Sequence, residues 1–155
     1  MDTARQPGIS ISQIFLESAH FEHREDFLSF PPATPMELEM DVGLEATIAT
    51  DGSRGRIRLI VKSKEGNDDL YRVALTMTGL IEVDRANSNL PLAQYAPANS
   101  WGLLYPFARE AVANLTGRGR FGPVYLKPMN FIAMAGQGVA FATEPNAAVA
   151  VTKDK

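Results

Sequence analysis

From Ile9 to about Val83 apolar residues recur at every second position, the period of a strand whose successive side chains face opposite sides of a sheet. The clearest stretch is Met36 to Ala49. Met36, Leu38, Met40, Val42, Leu44, Ala46 and Ile48 hold the even positions, and Glu37, Glu39, Asp41, Glu45 and Thr47 hold odd ones. Such alternation predicts a half-buried strand. Asp51-Gly52 follows and suits a two-residue type I′ hairpin, whose central residues both need positive φ. That loop sets Val42 opposite Val61, Leu44 opposite Leu59 and Ala46 opposite Ile57 on one face. On the other face Glu45 meets Arg58, Asp41 meets Lys62 and Glu39 meets Lys64. Apolar meets apolar and acid meets base, each pair contributing about 0.2–1 kcal/mol. A slip by one residue would set acids against valine and leucine.

A turn around Gly66-Asn67 leads into Tyr71, Val73, Leu75 and Met77, again spaced by two. Matching these to Val61, Leu59 and Ile57 requires an odd-length loop, and two neighbouring registers satisfy that condition. The first strand is less regular. Ile9, Ile11, Phe15, Ala19 and Phe21 share one face by strict alternation while Ile14 and Leu16 fall on the other, which predicts a strand covered on both sides, as by another chain. Residues 85–100, rich in Asn, Ser, Pro and Ala, read as a long loop. A helix is predicted over about 101–116, with Leu104, Ala108, Ala111 and Leu115 on one stripe and Tyr105 and Val112 beside it. Gly117 supplies its stop. Pro106 must sit in the first turn or kink the helix, and it biases Tyr105 away from helix, so the start stays open by several residues. An extended piece near 123–127 follows. Strands followed by a helix predict one α+β domain over 9–135 with an antiparallel four-stranded sheet. Residues 1–8 read as a disordered lead and 136–155 as a flexible Gly- and Ala-rich tail.

Composition narrows the chemistry. The chain has 155 residues, 45% of them hydrophobic and 21% charged, with 15 basic against 18 acidic. That apolar share excludes a disordered chain. The net charge of -3 argues against nucleic acid as the main partner. The absence of cysteine excludes disulfides, thiolate nucleophiles and cysteine metal sites. Two histidines exclude a three-His site within one chain. No apolar run is long enough for membrane insertion, and residues 1–7 lack a signal-peptide apolar region, so a cytoplasmic location is expected.

Candidate motifs favour plain readings. Gly117-Arg118-Gly119-Arg120-Phe121-Gly122 satisfies G-x-G-x-x-G but follows a helix and precedes Pro123, the reverse of a dinucleotide-binding context. A turn with two exposed arginines is the better reading. His20 and His23 would point to opposite faces of a strand and cannot chelate together. Glu37, Glu39 and Asp41 share a face, but the basic strand opposite accounts for them as surface pairs. Arg109-Glu110 reads as a solvated or interface salt bridge. No catalytic or metal-binding constellation and no cofactor is predicted. The different-class alternative is a small enzyme assembled between subunits, with His20, Arg109 or Glu110 as acid–base groups.

Leu103-Leu104-Tyr105-Pro106-Phe107-Ala108-Arg109-Glu110, then Gly117-Arg118-Gly119, then Leu126-Lys127-Pro128-Met129-Asn130-Phe131 resembles, in order and spacing, the SecB export-chaperone family. That family carries an aromatic–Pro–aromatic–Ala–Arg–Glu run entering its long helix and a later Pro–x–Asn–Phe element. The resemblance covers about 9–135. It implies a four-stranded antiparallel sheet with a long helix, assembled as a homotetramer, a dimer of dimers with the helices between the sheets. It also implies a holdase that keeps unfolded polypeptides in apolar grooves, without nucleotide or catalysis. Groove candidates are Met36, Leu38, Met40, Tyr71 and Phe131; methionine and aromatic side chains repack readily around varied partners. Met36, Leu38 and Met40 are equally readable as core. Val73, Leu75 and Met77 fall where the family's strand affects subunit association, and the helix stripe Leu104, Ala108, Ala111 and Leu115 is the matching helical interface. Export members dock on the SecA motor through acids on the exposed sheet face. Of the matching positions Ser18, Glu22 and Ala74, only Glu22 is acidic. Some SecB-like proteins instead serve toxin–antitoxin pairs.

Overall fold

The computed structural model of the chain describes residues 8–24, 38–66, 71–84, 86, 91–135 and 140–144. The groove candidate Met36, Asn67 of the second turn, the lead before Gly8 and residues 136–139 and 145–155 of the tail lie outside them. Four antiparallel strands come first: β1 (Ile9–His23), β2 (Met40–Ala49), β3 (Arg54–Ser63) and β4 (Tyr71–Val83). A 25-residue helix, α1 (Leu92–Thr116), a short helix α2 (Phe131–Ala135) and β5 (Ala140–Glu144) follow. The sheet order is β1-β4-β3-β2-β5, with β5 parallel to β2. The α+β class and the antiparallel four-stranded sheet are as expected; the fifth strand was not.

The β2–β3 register is the expected one, with Val42, Leu44 and Ala46 opposite Val61, Leu59 and Ile57, and Asp41 and Glu45 opposite Lys62 and Arg58. The turn differs from expectation. No residue other than glycine has positive φ among the described residues, so Asp51 cannot serve in a type I′ loop. Instead the Gly52 amide bonds the Ala49 carbonyl at 2.8 Å, and Gly52 itself takes the left-handed conformation (φ 69°). The Asp51 carboxylate accepts from the amide of Ser53 at 2.9 Å. A side-chain acceptor beside the turn serves the same end as the mirror-image turn, and the register is unchanged. The open choice between β3 and β4 resolves to Leu59 opposite Met77 and Val61 opposite Leu75.

The first strand is the clearest correction to strict alternation. Pairing with β4 shifts at Ser12 and at Glu17, each an extra residue in β1. Each bulge inverts the facing of the residues after it. Ile9, Ile11, Ile14, Leu16, Ala19 and Phe21 therefore all share the face of Ile81, Met77, Leu75 and Val73, and only Phe15 joins the opposite face. The apolar residues that alternation had split between two faces lie on one.

The helix lies on that face, and α1 is longer than expected at its start. It begins at Leu92, nine residues before the predicted 101, and runs through both Pro97 and Pro106. Each proline removes one i→i−4 bond. Burial compensates: Leu92, Ala96, Ser100, Leu104, Ala108 and Val112, four apart, are all buried against the sheet. Small residues in this row let backbone and sheet approach closely. A methyl group added at Gly79 of β4 would come within 3.2 Å of Leu104 Cδ2. Tertiary contact here overrides the loop-like composition of residues 85–100.

Candidate functional site: an apolar groove beside the helix

The helix ends at Thr116, and that residue sets up the groove. Its buried hydroxyl donates to the Val112 carbonyl and accepts from the Val124 amide, both at 2.7 Å. The bond pins the extended segment 122–130 alongside α1 and sinks Val124 and Leu126 into the core. Gly117 caps the helix as expected, but in a right-handed conformation. The turn beyond it is fastened to the sheet. Tyr71 Oη accepts from the Phe121 amide at 2.7 Å, and His23 Nε2 accepts from the Arg120 amide at 3.0 Å. Gly119 lies against the Tyr71 ring so closely that any side chain would strike it.

With Val124 and Leu126 turned inward, Tyr125 stands outward at 64% exposure. At the end of the segment Asn130 caps α2: its Oδ1 accepts from the amides of Ile132 and Ala133 at 3.1 and 3.2 Å. That cap orients Phe131 edge-to-face on Tyr105, with ring centroids 5.6 Å apart. Tyr105 in turn donates its hydroxyl to the Lys127 carbonyl. Burial raises the Tyr105 pKa, with Arg109 working against the rise.

Two adjoining depressions result. The larger, about 700 Å³, lies between α1 and the 125–131 segment, lined by Tyr105, Pro106, Ala113, Tyr125, Pro128, Met129 and Phe131, with Arg109, Glu110 and Asn114 as its polar members. The smaller, about 380 Å³, lies between that segment and the start of β2, lined by Leu38, Met40, Val42, Tyr105, Tyr125, Leu126 and Met129. Charged groups rim it as well, including Glu39 and Lys64, paired at 3.5 Å, with Asp41 and Lys127. Tyr105, Tyr125 and Met129 belong to both, so the pair forms one groove with an aromatic–thioether divider. Ile132, 89% exposed, stands on α2 beside it.

Of the groove candidates, Leu38 and Met40 line the smaller depression and Phe131 the larger. Tyr71 lines neither. It is fully buried between the sheet and the 117–122 turn, because its hydroxyl is needed to hold that turn's amide. Tyr125 and Met129 are missed by periodicity, since segment 122–130 has none; Met129 lies inside the run Leu126–Phe131, and Tyr125 immediately precedes it.

The residues expected at a subunit interface divide. Val73, Leu75, Met77, Leu104 and Ala108 are buried within this one chain, where α1 covers β4. Ala111 and Leu115 keep part of their surface, and with Phe107, 46% exposed, they continue along an outward side of α1. Glu22 lies on the opposite face of the sheet, which no helix among the described residues covers, near His20 (3.5 Å) and Arg72 (4.0 Å). The acid–base set His20, Arg109 and Glu110 is not brought together: His20 sits on that uncovered face, and the other two lie at the groove. Arg58, expected opposite Glu45, forms a two-pronged pair with Glu17 of the β1 bulge at 2.6 and 2.9 Å. Thr78 also donates to Glu17, at 2.5 Å.

A sheet covered on one face by a long helix, with an open apolar groove between helix and sheet edge, defines an α+β scaffold for binding other molecules. A sequence model of one family, described as preprotein translocase subunit SecB, matches residues 2–140, and the chain belongs to that family. Proteins named protein-export protein SecB are similar over most of their length. That of Acidithiobacillus ferrooxidans is 33% identical over 135 residues, covering 82% of this chain and 87% of that one. That of Cellvibrio japonicus is 25% identical over 139 residues, covering 89% and 83%. Among solved structures, the Mycobacterium tuberculosis SecB-like chaperone in complex with a peptide from the HigA1 antitoxin superposes with a TM-score of 0.57 at 22% identity, covering 79% of this chain and 88% of that one. This likeness is one of fold.

Proposed function

We propose that this chain is a holdase chaperone that keeps unfolded or non-native polypeptides in its apolar groove for export through the SecA motor. The observation that carries the reading is the two-part groove, where Tyr105, Tyr125, Met129 and Phe131 offer a wide apolar surface that no helix or strand among the described residues fills. Thioether and aromatic side chains adapt to many sequences, as a binder of varied clients requires. The activity is binding alone, and needs no cofactor. Suppression of light scattering by an aggregating client tests it; no suppression at stoichiometric chaperone would refute it.

The working form is a homotetramer in the cytoplasm. Two surfaces support assembly. The outer edge of β1 is unpaired among the described residues and carries Phe15 and Leu16, 40% and 45% exposed. The outward side of α1 adds Phe107, Ala111 and Leu115. No helix among the described residues is long and apolar enough to cross a membrane.

A dedicated role beside a toxin–antitoxin pair is the second reading. It is favoured by the uncovered sheet face, where Arg56, Arg58 and Lys62 stand on β3 and Glu22 is the sole acid at the three matched docking positions. The SecB-like neighbour was likewise solved with an antitoxin peptide. Co-sedimentation with SecA separates the two. Binding weakened by Glu22→Lys supports export, and absence of binding supports the dedicated role.

A further inference from the structure

The edge of β2 is occupied unevenly. Residues Ala140–Glu144 of β5 lie parallel to Glu45–Ala49, so the C-terminal half of β2 has a partner strand. On that outer edge the N-terminal half has no partner among the described residues, and Met40 and Val42 there, with Leu38 just before the strand, line the smaller depression. Groove and strand edge thus adjoin on one element. β5 itself is weakly held: it is five residues long, and among the described residues it meets no element but β2. Its backbone bonds on one side alone must offset the loss of chain entropy on ordering, with no second neighbour to help. A short strand at an open edge is exchangeable with any extended segment that offers the same backbone donors and acceptors.

We propose that β5 is a displaceable internal strand. An extended client segment takes its place on the β2 edge while its side chains enter the adjoining groove, so the chain's own C-terminal region competes with clients. The inference rests on the holdase reading and adds an occupant and a regulator to it. Recognition would come from the client's main chain at the edge and from its apolar side chains at the groove, which suits a binder without sequence preference.

A reversible lock tests this in the full-length chain. Thr47 of β2 and Ala142 of β5 are register partners, and the chain has no cysteine of its own. Within one protomer Thr47→Cys with Ala142→Cys can therefore form only the bridge that fixes β5 in place, and non-reducing electrophoresis sets aside any protomers cross-linked to one another. The probe is a fluorescently labelled, reduced and carboxymethylated α-lactalbumin, a permanently unfolded client. If β5 occupies the edge in nine-tenths of molecules, freeing it tightens client binding about tenfold, and locking it weakens binding further still. The expected result is that the reduced variant binds as the unaltered chain does, and the oxidised variant binds at least about tenfold more weakly, recovering on reduction. Equal binding by both forms overturns the proposal and leaves the holdase reading standing. Should the reduced variant fail to bind, Phe141→Pro with Ala142→Pro decides. Neighbouring strand residues point their amides oppositely, so this pair removes one donor facing β2 whichever residue carries it. Tighter binding by that variant supports the displaceable strand, and unchanged or weaker binding overturns it. Failure of the unaltered chain to bind the probe refutes the holdase reading and this inference with it.

Discussion

Replacing Thr116 by valine removes a hydroxyl and keeps the shape. In the unaltered chain that hydroxyl does two things: it returns a bond to the Val112 carbonyl, and it accepts from the Val124 amide. Thr116 is fully buried and Val124 nearly so, so no water replaces the lost acceptor. An unsatisfied buried donor costs about 1–3 kcal/mol. The Val112 carbonyl suffers less, because it already lies in a helix. With about 2 kcal/mol lost, a chain of this size melts some ~4–8 °C lower. Trp101, the chain's one tryptophan and buried at 3% exposure, reports unfolding by fluorescence at fixed protomer concentration. The urea midpoint should fall while the slope stays constant, because the surface exposed on unfolding is unchanged. Thr116→Ser restores the acceptor and should recover most of the loss. Client affinity should weaken as well, since the same bond holds the 122–130 segment that walls the groove. A melting temperature within about 1 °C of the unaltered chain would refute the reasoning, because it would mean that the Val124 amide finds another partner at no cost.

Tyr125→Ala should weaken client binding by about 1–2 kcal/mol while leaving the melting temperature almost unchanged, because the ring divides the groove yet is mostly exposed; fluorescence anisotropy and thermal melts together check it. Glu17→Gln tests the paired cluster on the uncovered face. The hydrogen bond from Thr78 and the pairing with Arg58 lower the Glu17 pKa below 4.5, so the stabilisation is present above that value and is lost as pH falls through the folded-state value. The stability gap between the unaltered chain and Glu17→Gln, measured by urea titration, should be constant near neutrality and shrink in acid; a gap that grows in acid would contradict the assignment. Phe107→Glu places a charge on the outward side of α1 and should lower the mass of the assembly measured by light scattering, whereas an unchanged mass would remove that side from the proposed interface.

What sequence legibility there was came from periodicity and composition. The β2–β3 hairpin was readable pair by pair, because one face oily and one face charged leaves a single register. Even with the turn type misjudged, that register held, since side-chain pairing along nine residue pairs outweighs the conformation of two loop residues. The β1 faces were misread for the opposite reason. Two one-residue bulges are invisible to a strict count of two, and both exist to keep Ile14, Leu16, Ala19 and Phe21 beneath the side that bears the helix. The start of α1 was hidden by prolines and polar residues whose local preference is outweighed once Leu92, Ala96 and Ser100 are buried on the sheet.

The groove divides in the same way. Leu38, Met40 and Phe131 could be nominated from alternation and from the family-like run, whereas Tyr125, Met129 and the burial of Tyr71 could not. Their placement depends on one hydroxyl at Thr116, one phenol at Tyr71 and one amide cap at Asn130, contacts between residues with no periodic relation. By itself the sequence determined the class of fold, the central hairpin register and the family, since these stem from repeated local pattern and from a contiguous motif. Only the tertiary structure decided which apolar residues are core, which line the open groove, and that the C-terminal region returns to the β2 edge. Burial is a property of the assembled layers: an apolar face records that something covers it, and only the packed helix and its pinned segment say what does.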